Sequence, residues 1–125
     1  MTKYYENNDH HFEAQIKVYP LGPQTRKTPP FNGIRWAFAY AEDFGSDSLP
    51  TTVSDVWPNF LDENDMSIAD DIPLFGELKA RMHIIFANMI PIHMKRIKIG
   101  TVFYCMEGKR KCAQGVVTAV SSHGM

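Results

Sequence analysis

Apolar residues at every second position, in runs broken by proline and glycine, constrain this chain more than any other feature. Phe12, Ala14, Ile16 and Val18 alternate with Glu13, Gln15, Lys17 and Tyr19, the period of a strand with one buried face. Ile34, Trp36, Phe38 and Tyr40 alternate with Arg35, Ala37, Ala39 and Ala41, and Leu78, Ala80, Met82, Ile84 and Phe86 with Lys79, Arg81 and His83. Residues 97–106 and 111–120 flank a tight turn at Gly108-Lys109. Pro20, Gly22, Pro23, Pro29 and Pro30 impose a long loop, because consecutive prolines remove donors and forbid helix. Short strands, turn signals and no convincing long amphipathic helix predict an all-β sandwich or barrel.

A chain of 125 residues is one domain that can bury its own core without metals or bridges. No apolar run approaches the roughly 20 residues of a membrane span, and residues 1–6 are not a signal peptide. A cytoplasmic protein is therefore expected. Residues 1–9 read as a polar leader, 10–121 as the domain with an acidic insert at about 42–75, and 122–125 as a tail. Charge is segregated: residues 42–71 hold nine acidic groups and no Lys or Arg, whereas residues 72–125 hold eight Lys or Arg against Glu77 and Glu107. Such a chain presents separate basic and acidic faces unless the fold interleaves the two segments. Within the acidic part, Thr51-Thr52-Val53 reads as a short strand, and residues 62–70 as a turn of helix around Met66 and Ile68.

Phe12-Glu13-Ala14-Gln15-Ile16-Lys17-Val18-Tyr19, Arg26-Lys27-Thr28-Pro29-Pro30-Phe31-Asn32-Gly33, Pro91-Ile92-His93-Met94, Glu107-Gly108-Lys109-Arg110 and Gly115-Val116-Val117 follow one another in that order. Together they resemble the C-terminal β-barrel domain (domain III) of bacterial elongation factor Tu, over residues 12–40 and 76–120. The resemblance implies a six-stranded closed antiparallel β-barrel. It also implies a binding module, not an enzyme, without cofactor or bound nucleotide, because the GTPase domain of that factor has no counterpart here.

In the family, the loop corresponding to Arg26 and Lys27 lies where the barrel meets the T-stem of tRNA, and the glycine matching Gly108 also approaches it. A translation-associated module binding tRNA or another structured RNA is then expected, with Arg26, Lys27, Gly108, Lys109 and Arg110 nearest the nucleic acid. Arg and Lys suit phosphate, one as a fork and the other as a point charge. Ala37 and Ile90 depart from the family by removing polar contacts. A plainer reading has Arg26 and Lys27 pinning the Pro-rich loop to the barrel through an acidic partner. The alternative function is a protein-interaction module, mimicking domain III toward a translation factor or neutralising a toxin, with Trp57, Phe60 and Leu61 as interface anchors.

Lys95-Arg96-Ile97-Lys98 reads either as a new partner site or as cations on a solvent-facing strand that blunt a sheet edge. Cys105 and Cys112 fall opposite each other if Gly108-Lys109 closes a two-residue turn, which admits a disulfide; two buried thiols are the expected state in a reducing compartment. The five histidines form no ligand set and are expected on the surface. Asp62-Glu63-Asn64-Asp65 lacks the glycine and terminal glutamate of a calcium loop, and no metal site is expected.

Overall fold

The computed structural model describes residues 10–45 and 53–121. The expected leader and tail, Thr51-Thr52 and His123 lie outside them. Strand β1, Phe12–Val18, buries its apolar alternants and exposes Gln15 and Lys17. It is followed by β2 (Trp36–Tyr40), β3 (Val53–Leu61), β4 (Gly76–Ile84), a short helix α1 (Ile90–Arg96), β5 (Val102–Glu107) and β6 (Arg110–Val120). The six strands close into a barrel in the order β1-β4-β3-β2-β5-β6, every neighbouring pair antiparallel. Closure removes the unpaired edges that an open sheet leaves exposed. The Pro-rich loop, the 62–75 loop and the β5–β6 turn gather at one end (the loop end), and α1 lies at the other (the helix end).

The interior is aromatic. Phe38 stacks on Phe103 with ring centroids 4.6 Å apart, and Phe12 meets both edge-on at 5.8 and 6.0 Å. Space for Phe103 comes from Gly115, its partner across the β5–β6 ladder. A methyl at Gly115 would lie 2.3 Å from the Phe103 ring. Gly115→Ala is therefore expected to destabilise the barrel by about 1–3 kcal/mol in urea unfolding. Pairing it with Phe103→Leu should recover part of that loss; an unchanged midpoint in the single variant would contradict this packing.

The acidic segment is built into the barrel wall. It supplies β3, which pairs with β2 on one side and β4 on the other. Asp55, Pro58 and Asn59 are poor strand formers, which hides β3 from a propensity reading. Its ladder with β2 stops at Val56, so the upper half of β3 needs another partner on that side. Residues 66–68 supply part of it, Ile68 N–H donating to Phe60 O at 2.9 Å beside a Leu61–Ser67 bridge, and Asn32 from the Pro-rich loop supplies the rest. Its Oδ1 accepts Phe60 N–H at 2.9 Å, and its Nδ2 donates to the Phe60 and Ile68 carbonyls at 3.0 and 2.9 Å and to Asn59 Oδ1 at 3.3 Å. Pro58, two residues before Phe60, turns its missing N–H toward this same open side, where no ladder bond is lost. Residues 62–66 form an Asx turn, not a helical one: Asp62 Oδ1 accepts Asn64 N–H and Met66 N–H at 2.8 and 3.0 Å, with Asp65 at φ 61°.

Other expectations also change. Lys95 and Arg96 end α1, with Pro91 in its first turn, and protect no sheet edge. His11, His83 and His93 are buried, not on the surface. His11 Nδ1 accepts Ile84 N–H at 3.0 Å, and His83 Nδ1 lies 3.3 Å from the Trp57 carbonyl oxygen. A register shift beside Cys105 pairs it with Ala113, leaving Cys112 out of direct opposition. Both thiols are free and buried. Burial, with Cys112 close by, holds the Cys105 thiol well above its ordinary range; burial together with the Glu107 charge pushes Cys112 up to about 11.

The fold interleaves the two charge segments. Arg35 pairs with Asp55 at 2.6 Å, Lys79 with Asp65 at 2.7 Å, and Arg96 with both Glu42 and Asp43. Four of the nine acidic groups of residues 42–71 are thereby paired at close range, leaving local groups to set the surface potential.

Candidate functional site

The β5–β6 turn and the Pro-rich loop meet over one carboxylate, Glu107. Gly108 takes the positive φ of 60° that lets the two-residue turn close. This brings Glu107 beside Arg110, its partner in the ladder. Glu107 Oε2 accepts from Arg26 Nη1 and, at 2.8 Å, from the indole N–H of Trp36; Oε1 accepts from Arg110 Nη2 at 3.3 Å. Partial burial pushes the Glu107 carboxyl upward. The Trp36 and Arg26 hydrogen bonds and the two guanidinium charges outweigh that and hold it below its ordinary range.

Arg26 is thus an anchor, with Nε also donating to Thr28 O at 3.0 Å. Arg110 Nη1 fastens the other side of the loop by donating to Thr25 O at 3.1 Å. Of the five residues expected near a nucleic acid, Arg26 and Arg110 build the platform and Gly108 turns the chain. Lys27 and Lys109 are exposed, and no carboxylate among the described residues pairs with either. Arg26 therefore does not present the free phosphate-binding fork that the resemblance implies; it pins the loop, as the plainer reading has it.

Beside this platform lies an open groove of about 580 Å³ lined by Tyr19, Pro23, Thr25, Lys109, Arg110 and Lys111. The Lys111 ammonium sits 4.2 Å from the Tyr104 ring centroid and 4.4 Å from that of Phe44. Tyr19 O–H donates to Gln114 Oε1 at 3.1 Å. Burial and the nearby Tyr104 raise the Tyr19 pKa. Tyr19, Tyr104 and Phe44 were not singled out from the sequence. The outward register of Tyr19 and Tyr104 beside cations was the available signal.

Two of the three expected interface anchors are excluded. Phe60 and Leu61 are 0% and 2% exposed. Phe60 packs inside, its ring centroid 6.2 Å from that of Trp36. Trp57 is half-buried. Among the described residues no helix is long and apolar enough to cross a membrane, and no cluster of three or more His, Cys, Asp or Glu is placed to hold a metal ion.

Compared with known proteins, the chain matches no protein-family model, and no curated protein matches it at a significant level.

Proposed function

We propose that this barrel is a non-catalytic module that binds structured RNA, of the tRNA type that the resemblance to elongation factor Tu domain III suggests. The observation that carries the reading is the cationic edge of Lys109, Arg110 and Lys111 on a groove that Tyr19 also lines, with the exposed Lys27 on the loop that Arg26 and Arg110 hold beside it. The carboxylate beneath it is already neutralised by two guanidinium groups. Exposed ammonium groups attract phosphate by releasing counterions, and aromatic faces accept unstacked bases.

Titration of fluorescent tRNA at several salt concentrations tests this. Affinity is expected to fall steeply with salt, and Lys27→Ala and Lys109→Ala should each reduce the log–log slope by roughly 0.7–0.9. An affinity and slope unchanged in both variants would exclude this face.

A second reading, a protein-interaction module for a translation factor or toxin, draws on different residues from those expected. Pro30 O accepts Leu74 N–H at 2.9 Å, which brings the exposed Phe31 and Phe75 into neighbouring segments at the loop end, with Ile72 nearby in sequence. A discrete protein that stays bound to the barrel through RNase treatment, and is lost with Phe75→Asp, would favour it.

A further inference from the structure

The helix end carries a second groove, also about 580 Å³, between the last turn of α1, the 98–101 turn and the end of β2. We propose that it is a binding site for a phosphate ester of nucleotide size, with Lys95, Lys98 and Thr101 as the direct contacts.

Arg96 forms a fixed floor. Its Nε and Nη2 donate to Glu42 Oε1 at 3.1 and 2.7 Å, Nη2 also reaches Asp43, and the guanidinium lies 3.7 Å from the Tyr40 ring centroid. One guanidinium thus serves both carboxylates beside the groove, Glu42 remaining largely exposed, so the net positive charge of the site comes from Lys95 and Lys98. Lys95 and Lys98, both exposed, pair with no carboxylate among the described residues. The turn that carries Lys98 is held to the barrel: Gly100 N–H donates to Val117 O at 2.8 Å, and Val117 N–H to Thr101 O at 2.9 Å. Thr101 Oγ1 accepts Lys98 N–H at 3.0 Å, which leaves its hydroxyl proton to donate into the groove. Two ammonium groups and one hydroxyl donor on ordered backbone match the oxygens of a phosphate. Val102 and Ala41 add apolar wall, and the volume lies in the range of small-molecule sites. Lys27 and Lys109 are at the opposite end of the barrel, so this inference is independent of the RNA reading.

The test is an amide chemical-shift titration of the full chain with inorganic phosphate, adenosine monophosphate and a dephosphorylated oligouridylate. Saturable shifts confined to residues 95–102 are expected with the first two. Lys95→Ala/Lys98→Ala should weaken that response at least about tenfold, while Lys109→Ala leaves it unchanged. Shifts at the same residues with the oligouridylate alone, or with none of the three ligands, would overturn a nucleotide-size ligand, the former assigning the groove to a nucleic-acid backbone. Shifts spread over every exposed lysine, or an undiminished response in the double variant, would overturn the proposal. The exposed, unpaired lysines make the double variant foldable, and Lys98→Ala alone repeats the comparison if it is not.

Discussion

Asn32→Ala is expected to destabilise the protein by about 3–5 kcal/mol, more than a loop residue ordinarily would. Alanine removes four hydrogen bonds and leaves the Phe60 N–H, the Ile68 carbonyl and Asn59 Oδ1 short of a partner, while the Phe60 carbonyl keeps the Ile68 N–H. Asn32 is only 4% exposed, so water does not readily replace it, and each buried polar group left unmade costs about 1–3 kcal/mol. Asn32→Asp separates the contributions. It retains the acceptor for Phe60 N–H but turns a carboxylate oxygen toward three other acceptors, so at neutral pH it should be at least as damaging as alanine. Urea unfolding of the three proteins measures this. A loss below about 1 kcal/mol for alanine would mean that the loop does not complete the β3 ladder.

Acidification from pH 7 to 4 should remove about 3 kcal/mol of stability through His93 alone. The ring is fully buried, with Nδ1 2.6 Å from Tyr40 O–H and Nε2 2.7 Å from Ser54 Oγ. Either neutral tautomer is satisfied, because each hydroxyl can donate or accept. Burial, and secondarily the Arg96 charge, lower the His93 pKa from 6.5 to about 4. Between those values the unfolded chain binds the proton and the folded one does not. Stability is therefore full above pH 6.5 and falls as pH drops toward 4. Asp65 and Glu107, both held below their ordinary range, act in the same direction but only once the unfolded carboxylates begin to protonate, lower on the scale. His93→Gln isolates the effect: its stability should decline less steeply than the parent's between pH 6.5 and 5. Parallel curves would show that His93 is not the group responsible. The same contacts fasten α1 to β2 and β3, so acid should loosen the helix end first.

The alternating strands β1, β2 and β4, the Gly108-Lys109 turn and the all-β class were legible because a period of two survives in those segments. Within β3, Phe60 and Leu61 were misplaced for a specific reason. Loop residues and Asn32 cover the upper part of that strand, so consecutive residues 58–61 are all buried and the alternation fails. His93 shows the same difficulty: a polar ring in a short Pro-containing segment gives no sign that two hydroxyls, from β2 and β3, will enclose it. In the candidate site, the sequence marked the cations but not which were already committed. Arg26 and Lys27 are adjacent, yet one is bound to Glu107 from 81 positions away while the other is exposed.

By itself the sequence determined the alternating strands, the Gly108-Lys109 turn and the sign of the charges, since alternation, proline and turn glycine act within a few residues. Only the tertiary structure decided which charges remain free. Pairing depends on closing the barrel, which brings Glu107 to Arg26, Asp55 to Arg35 and Glu42 to Arg96 across long separations. Coulombic cancellation is governed by distance in space, and so the surplus cations at the two ends of the barrel emerge only after folding.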